Sequence, residues 1–215
     1  MNDSVSLSVN MSNGTIDIAA YLAAKLGDRY VSTTQLIVLN IIYIGIFISG
    51  IIGNICTCIV IARNKNMHTA TNYYLVSLAV SDLLTLIIAW PSELYSIWES
   101  YPWRFGREFC ILKSYVQEST AYASVLTITA FTMERYVAIC HPMRFQTFSN
   151  LSRSIKVIVA VWILGFCSAL PYALYGKMFY AVMHPNTNKP LSDSLVCNIP
   201  YELHDKMRYM FQVSA

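Results

Sequence analysis

The chain has 215 residues, of which 55% are hydrophobic and only 13% charged, and its formal net charge is +3. Soluble domains carry about 25% charged residues, so this composition excludes an ordinary soluble fold and indicates an integral protein of the lipid bilayer. No nucleic-acid partner is expected.

The tail, residues 1–35, holds three N-glycosylation sequons, Asn2-Asp3-Ser4, Asn10-Met11-Ser12 and Asn13-Gly14-Thr15. Such sites matter only outside the cell, so an extracellular N-terminus with sugars on Asn2, Asn10 and Asn13 is expected. The start lacks a basic segment followed by an apolar core, so the first span must act as the insertion signal.

No charged residue occurs between Arg29 and Arg63, and the first transmembrane helix is expected at about 36–62. The second is expected at about 72–98, interrupted by Asp82, Pro91 and Glu93, the third at 107–140, and the fourth at 155–175, with Trp162 and Pro171 inside it. A fifth starts near Asp205 and reaches Ala215 after too few residues to cross. The sequence is therefore read as a partial one. The transmembrane domain spans 36–215 in this reading, and the fold class is an all-α membrane protein. Arg63, Lys65, Arg144, Arg153 and Lys156 fall in segments almost without acids, which gives mild support for a cytoplasmic placement.

The third span ties the two faces together. Cys110 and the run Glu134-Arg135-Tyr136 lie roughly 37 Å apart along a helix that rises about 1.5 Å per residue. A hydrocarbon core is about 30 Å thick, so they emerge on opposite faces. At about 100° per residue, Cys110, Gln117, Ala121, Ser124, Ile128 and Arg135 share one arc, with Glu118 just beyond its edge. Such a stripe is either a polar-tolerant seam between helices or the wall of a cavity. Glu118 favours the cavity, because an ionisable group within a span is costly unless it faces protein or water.

Cys56, Cys58, Cys140 and Cys167 fall in spans or at the reducing face, which leaves Cys110 and Cys197 to pair in the oxidising compartment. Cys56 and Cys58 read as small apolar fillers.

Asp82 lies far from either interface and needs hydroxyls, amides, water or a cation. Asn54 and Ser124, at similar depth, are candidate partners, and a polar core binding a small cation such as sodium is expected. Glu93 and Glu118 both lie a few turns below the outer surface. If their helices are neighbours, the two carboxylates converge on one cavity suited to a cationic ligand, arginine better than lysine because its planar fork bonds both oxygens. The alternative is that each is paired internally, for example with Lys113 or Arg107. His68, His141, His184 and His204 all lie outside the spans, and no HExxH, P-loop or Gly-x-Ser-x-Gly occurs, so an enzyme is not expected. Beyond the sodium ion, no cofactor is anticipated.

Gly53-Asn54, Asn72 with Leu78-Ala79-Val80-Ser81-Asp82, Trp103-Arg104-Phe105-Gly106 before Cys110, Glu134-Arg135-Tyr136, Pro142, Trp162 and Cys197 stand in an order and spacing that resemble the rhodopsin-like (class A) G-protein-coupled receptors. The resemblance implies a seven-transmembrane-helix bundle of which helices 1–4 and the start of helix 5 are present. Pro91-Ser92-Glu93-Leu94-Tyr95, Trp98, Glu118 and Tyr122-Ala123-Ser124-Val125-Leu126 further resemble the neuromedin U, pyrokinin and capa receptors. Ghrelin, motilin, neurotensin and thyrotropin-releasing-hormone receptors are near relatives, and that group is an alternative.

The narrower resemblance implies a plasma-membrane receptor for an amidated peptide whose C-terminal segment contains Pro-Arg, with Glu93, Gln117 and Glu118 at the ligand. It also implies a heterotrimeric G protein of the Gq class and a calcium signal. In that frame Glu134 restrains Arg135 at rest, Arg135 and Tyr136 form the switch, and Pro142 and Met143 meet the G protein. The family's sixth and seventh spans are absent from these residues, so the 215 residues themselves are not expected to signal. A second reading makes them a truncated isoform that retains the full-length receptor in a dominant-negative way, with Gly45, Ser49 and Gly53 as the contact line.

Overall fold

The computed structural model describes residues 17–141, 143 and 151–200. Asn2, Asn10, Asn13, Pro142, His204 and the expected start of a fifth helix lie outside the described residues. Among the described residues four helices are long and apolar enough to cross a membrane: Thr33–Arg63, Ala70–Trp98, Gly106–Cys140 and Leu151–Tyr175. Each begins one to four residues before its expected start, because polar and cap residues extend a helix past its apolar stretch.

The first described element is a short helix within the tail, α1 (Ile18–Leu26). Asp17 caps it by accepting from the amides of Ala19 and Ala20, at 3.0 and 3.3 Å. Gly27 ends it at φ 85°, a left-handed conformation that a Cβ would strain, and its amide bonds the Ala23 carbonyl.

α2 (Thr33–Arg63) buries only Ile61 and exposes isoleucines along most of its length. This inverts the soluble rule and suits a helix whose solvent is lipid. A 3-10 turn, Lys65–Met67, leads into α3 (Ala70–Leu84), whose start is held by Thr69 on the Asn72 amide and by the Asn72 side chain on the Met67 carbonyl at 2.7 Å.

The second span does not remain α-helical. Residues Thr85–Ala89 form a widened π turn, in which the Trp90 amide reaches the Thr85 carbonyl five residues back, and α4 (Trp90–Trp98) follows. Pro91 is the cause: it has no N–H to donate, and its ring would press on the carbonyl four residues earlier. Asn40 accepts from Trp98 Nε1 at 3.0 Å and the Tyr43 and Trp90 rings lie 4.8 Å apart, which fixes α4 against α2.

α5 (Gly106–Cys140) and α6 (Leu151–Tyr175) form the tightest helix pair. Val161, Gly165 and Ala169 recur every fourth residue and are buried. A Cβ on Gly165 would stand 3.0 Å from the Ser119 carbonyl and 3.2 Å from the Ala123 nitrogen, so the backbones meet there with only a hydrogen between them.

A two-stranded antiparallel hairpin follows α6. β1 (Lys177–Tyr180) pairs with β2 (Leu195–Asn198) in the register Lys177 to Asn198, Met178 to Cys197, Phe179 to Val196 and Tyr180 to Leu195. The all-α description thus needs one small β element added at the Cys110 end.

Candidate functional site

At that end Cys110 and Cys197 form the expected disulfide, with Cα atoms 5.7 Å apart, and Cys110 is fully buried. The bond pins β2 to the second turn of α5. Three chain segments close over this region. Leu22 of α1, Tyr101 of the α4–α5 loop and Val182 after β1 share a small apolar core, and the Tyr101 hydroxyl donates to the Gly27 carbonyl at 2.9 Å. The Trp103 amide donates to the Leu195 carbonyl at 2.8 Å.

Glu99 is the polar centre of the same cap. Its oxygens accept from Arg29 at 2.7 Å, from Arg104 at 2.8 and 3.0 Å, and from the Tyr95 hydroxyl at 2.5 Å. Arg29 also reaches Asp193 at 3.3 Å. Hydrogen bonds from Arg104, Tyr95 and Arg29 hold the Glu99 carboxyl well below the usual carboxylate range. Sequence reasoning missed this cluster, since nothing in the sequence pairs Arg29 with a loop acid 70 residues away.

Below the cap are the expected ligand carboxylates. Glu93 is bonded to Lys113 at 2.6 Å, which is the internal pairing that the sequence offered as the alternative. Glu118 has a different neighbour, Tyr172 of α6, which in turn lies beside Tyr122. Tyr172 follows Pro171, and its phenol inside an apolar span was the available signal for a role. Gln117 is exposed. So are Ala121 and Ile128, whereas Cys110 of the same arc is buried, and the covered face of α5 is centred elsewhere, on Ser119, Thr120, Ala123 and Thr127. These lie roughly 100° round the helix from Gln117.

That true seam is a ladder of hydroxyls. Ser77, Ser81 and Thr85 of the second span meet Thr127, Ser124 and Thr120 of α5 at 3.4, 2.7 and 2.8 Å. Trp162 Nε1 joins from α6 by donating to Ser77 at 3.0 Å. Sequence reasoning placed only Ser124 in this region, and as a partner of Asp82. In the structure Ser124 is bonded to Ser81, whereas the polar neighbour of Asp82 is the Asn54 side chain of α2, whose amide donates to the Gly50 carbonyl at 2.9 Å.

At the opposite end Arg135 donates to the Thr71 hydroxyl of α3, and its guanidinium lies 5.3 Å from the Phe131 ring centre. Glu134 approaches Arg135 only to 4.0 Å, which is outside hydrogen-bond range, so Thr71 is the closer restraint. Glu134 is occupied on its other side by Tyr74 and by the Ser154 hydroxyl at 3.5 Å. Arg135 Nε is buried with no partner among the described residues. Buried donors without an acceptor are rare. Tyr136 and Met143 are exposed at this end.

The sequence model described as "7 transmembrane receptor (rhodopsin family)" matches residues 53–215. A pyrokinin-1 receptor of Drosophila melanogaster is 54% identical over 155 residues, covering 72% of this chain and 36% of that protein. A neuromedin U receptor homologue of Caenorhabditis elegans is 44% identical over 186 residues, covering 83% of this chain and 46% of its own length. The human neuromedin-U receptor 2 is 40% identical over 161 residues, covering 74% and 38%. The chain thus spans less than half the length of these curated relatives.

Proposed function

The chain belongs to the rhodopsin family of seven-transmembrane receptors, and from that premise we propose that the complete protein is a plasma-membrane receptor for an amidated neuropeptide whose C-terminal segment contains Pro-Arg. Its N-terminus is extracellular, and it signals through a Gq-class heterotrimeric G protein and calcium. The observation that carries the ligand class is the pair of carboxylates, Glu93 and Glu118, below the disulfide-pinned hairpin, beside relatives named for pyrokinin and neuromedin U. A guanidinium complements carboxylates better than any other side chain, because its planar fork bonds both oxygens.

Exposed Tyr136 and Met143 beside Arg135 support a G-protein contact at the opposite end. Arg135 leaves Thr71 in the active state and gives its unpartnered Nε to that partner. Asp82, Asn54 and the hydroxyls near them supply the oxygen donors that a sodium ion requires. In cells expressing the complete receptor, Glu118→Gln and Glu93→Gln should each weaken a Pro-Arg-amide peptide by about 1–3 kcal/mol, the worth of a charged hydrogen bond. Calcium dose-response curves unmoved by both substitutions overturn the ligand assignment.

A further inference from the structure

Lys113 occupies the place that a ligand's cation would take. Its Nζ lies 2.6 Å from Glu93 Oε1 and 5.6 Å from the centre of the Trp103 ring. The lysine side chain is 17% exposed and the glutamate 38%, so the carboxylate is more open than the cation that neutralises it. Lys113 is also one helical turn from Cys110 and so is held beside the hairpin by the disulfide.

We propose that Lys113 is an intramolecular competitor for Glu93 that the arginine of the peptide must displace, which makes it a specificity-determining residue of the site; this rests on the peptide reading above. An ammonium is a compact charge that meets one carboxylate oxygen here, whereas a guanidinium meets both in parallel. The incoming group is therefore the stronger partner. The displaced lysine is not stranded, because the face of Trp103 is already within reach and attracts a cation. A ligand without a strong cation cannot make the exchange, so an uncharged peptide draws nothing from Glu93 whether or not the lysine is present.

The test is competition binding on membranes containing the complete receptor, with two probes: a peptide amide ending in a Pro-Arg segment, and the same peptide with citrulline, an uncharged isostere, for arginine. Lys113→Met should tighten the arginine peptide by roughly two- to fivefold, the scale of a partly exposed ion pair, and leave the citrulline peptide unchanged. Lys113→Arg, which holds Glu93 with both prongs, should weaken the arginine peptide by a similar factor. Opposite directions in two variants cannot come from misfolding. Equal shifts of both peptides, no tightening in Lys113→Met or no weakening in Lys113→Arg each overturn the proposal while the peptide reading stands. An unaltered receptor that binds neither probe overturns both.

Discussion

Arg29 of the N-terminal segment places its Nη2 2.7 Å and its Nε 3.2 Å from one oxygen of Glu99, so the residues preceding the first membrane helix are clasped to the loop between α4 and α5. The clasp is reinforced by the Ser100 amide, which donates to the Arg29 carbonyl at 3.0 Å. Removing the charge removes the hub for Arg29, Arg104 and Tyr95 together. Glu99→Gln should accelerate amide exchange across 18–26 by about tenfold or more, because charged hydrogen bonds are the strong ones.

The pH dependence of this clasp has a definite sign. Glu99 has a depressed folded value, owing to the bonds from Arg104, Tyr95 and Arg29. Its stabilisation is therefore fully present above the ordinary glutamate value of about 4.3 and is lost as pH falls through the folded value. Protection of the amides across 18–26, referred to the intrinsic exchange rate at each pH, should carry no Glu99 step between about pH 5 and 8 and should fall in acid. In Glu99→Gln the acid step should vanish.

The Cys110–Cys197 bond closes a separation of 87 residues and carries the hairpin. Cys197→Ala should destabilise the solubilised receptor by about 2–5 kcal/mol, read as a lower midpoint of thermal unfolding. Treatment of the unaltered receptor with a reductant should reproduce the shift.

Thr71 receives the Arg135 guanidinium and Glu134 stands farther off. Thr71→Val should therefore raise basal signalling at least as much as Glu134→Gln, by roughly two- to tenfold for the loss of one charged hydrogen bond. With the coupling proposed above, inositol phosphate accumulation in cells expressing the complete receptor, without peptide, measures it. Equal basal levels in Thr71→Val and the unaltered receptor would remove Thr71 from the resting restraint.

Gly165 has backbone of α5 within 3.0 and 3.2 Å of where a Cβ would be, and backbone yields less readily than a side-chain tip. Gly165→Ala should cost about 1–3 kcal/mol as α5 and α6 are pushed apart. Gly53→Ala, with open space at its Cβ position, should be nearly neutral in the same thermal assay.

The four spans were legible because charge is nearly absent from them, and a run of some 20 apolar residues has few other uses. The disulfide was legible because compartment leaves Cys110 and Cys197 to each other. Glu93's partner, Lys113, was legible only as an alternative, because the two lie on different helices and no spacing relates them, and the π turn at Thr85–Ala89 shifts the phase between Asp82 and Glu93. The seam of α5 escaped for another reason. Ser119, Thr120 and Thr127 are no more conspicuous in sequence than Gln117 and Ser124, and which arc is covered depends on where α3 and α6 lie. The clasp on Glu99 was invisible because it joins loop and tail residues that follow no periodicity.

The paired hydroxyls between the second span and α5 have a mechanical meaning. Each can exchange the role of donor for that of acceptor, and each of Ser81, Thr85 and Thr120 also bonds a carbonyl of its own helix. A hydroxyl has one proton, so in the Thr85–Thr120 pair one group gives it across the seam while the other keeps its own carbonyl, and the direction can reverse by rotation of two hydroxyls alone. The seam is thus joined by rotors, whose polarity can turn over without any atom of the backbone moving.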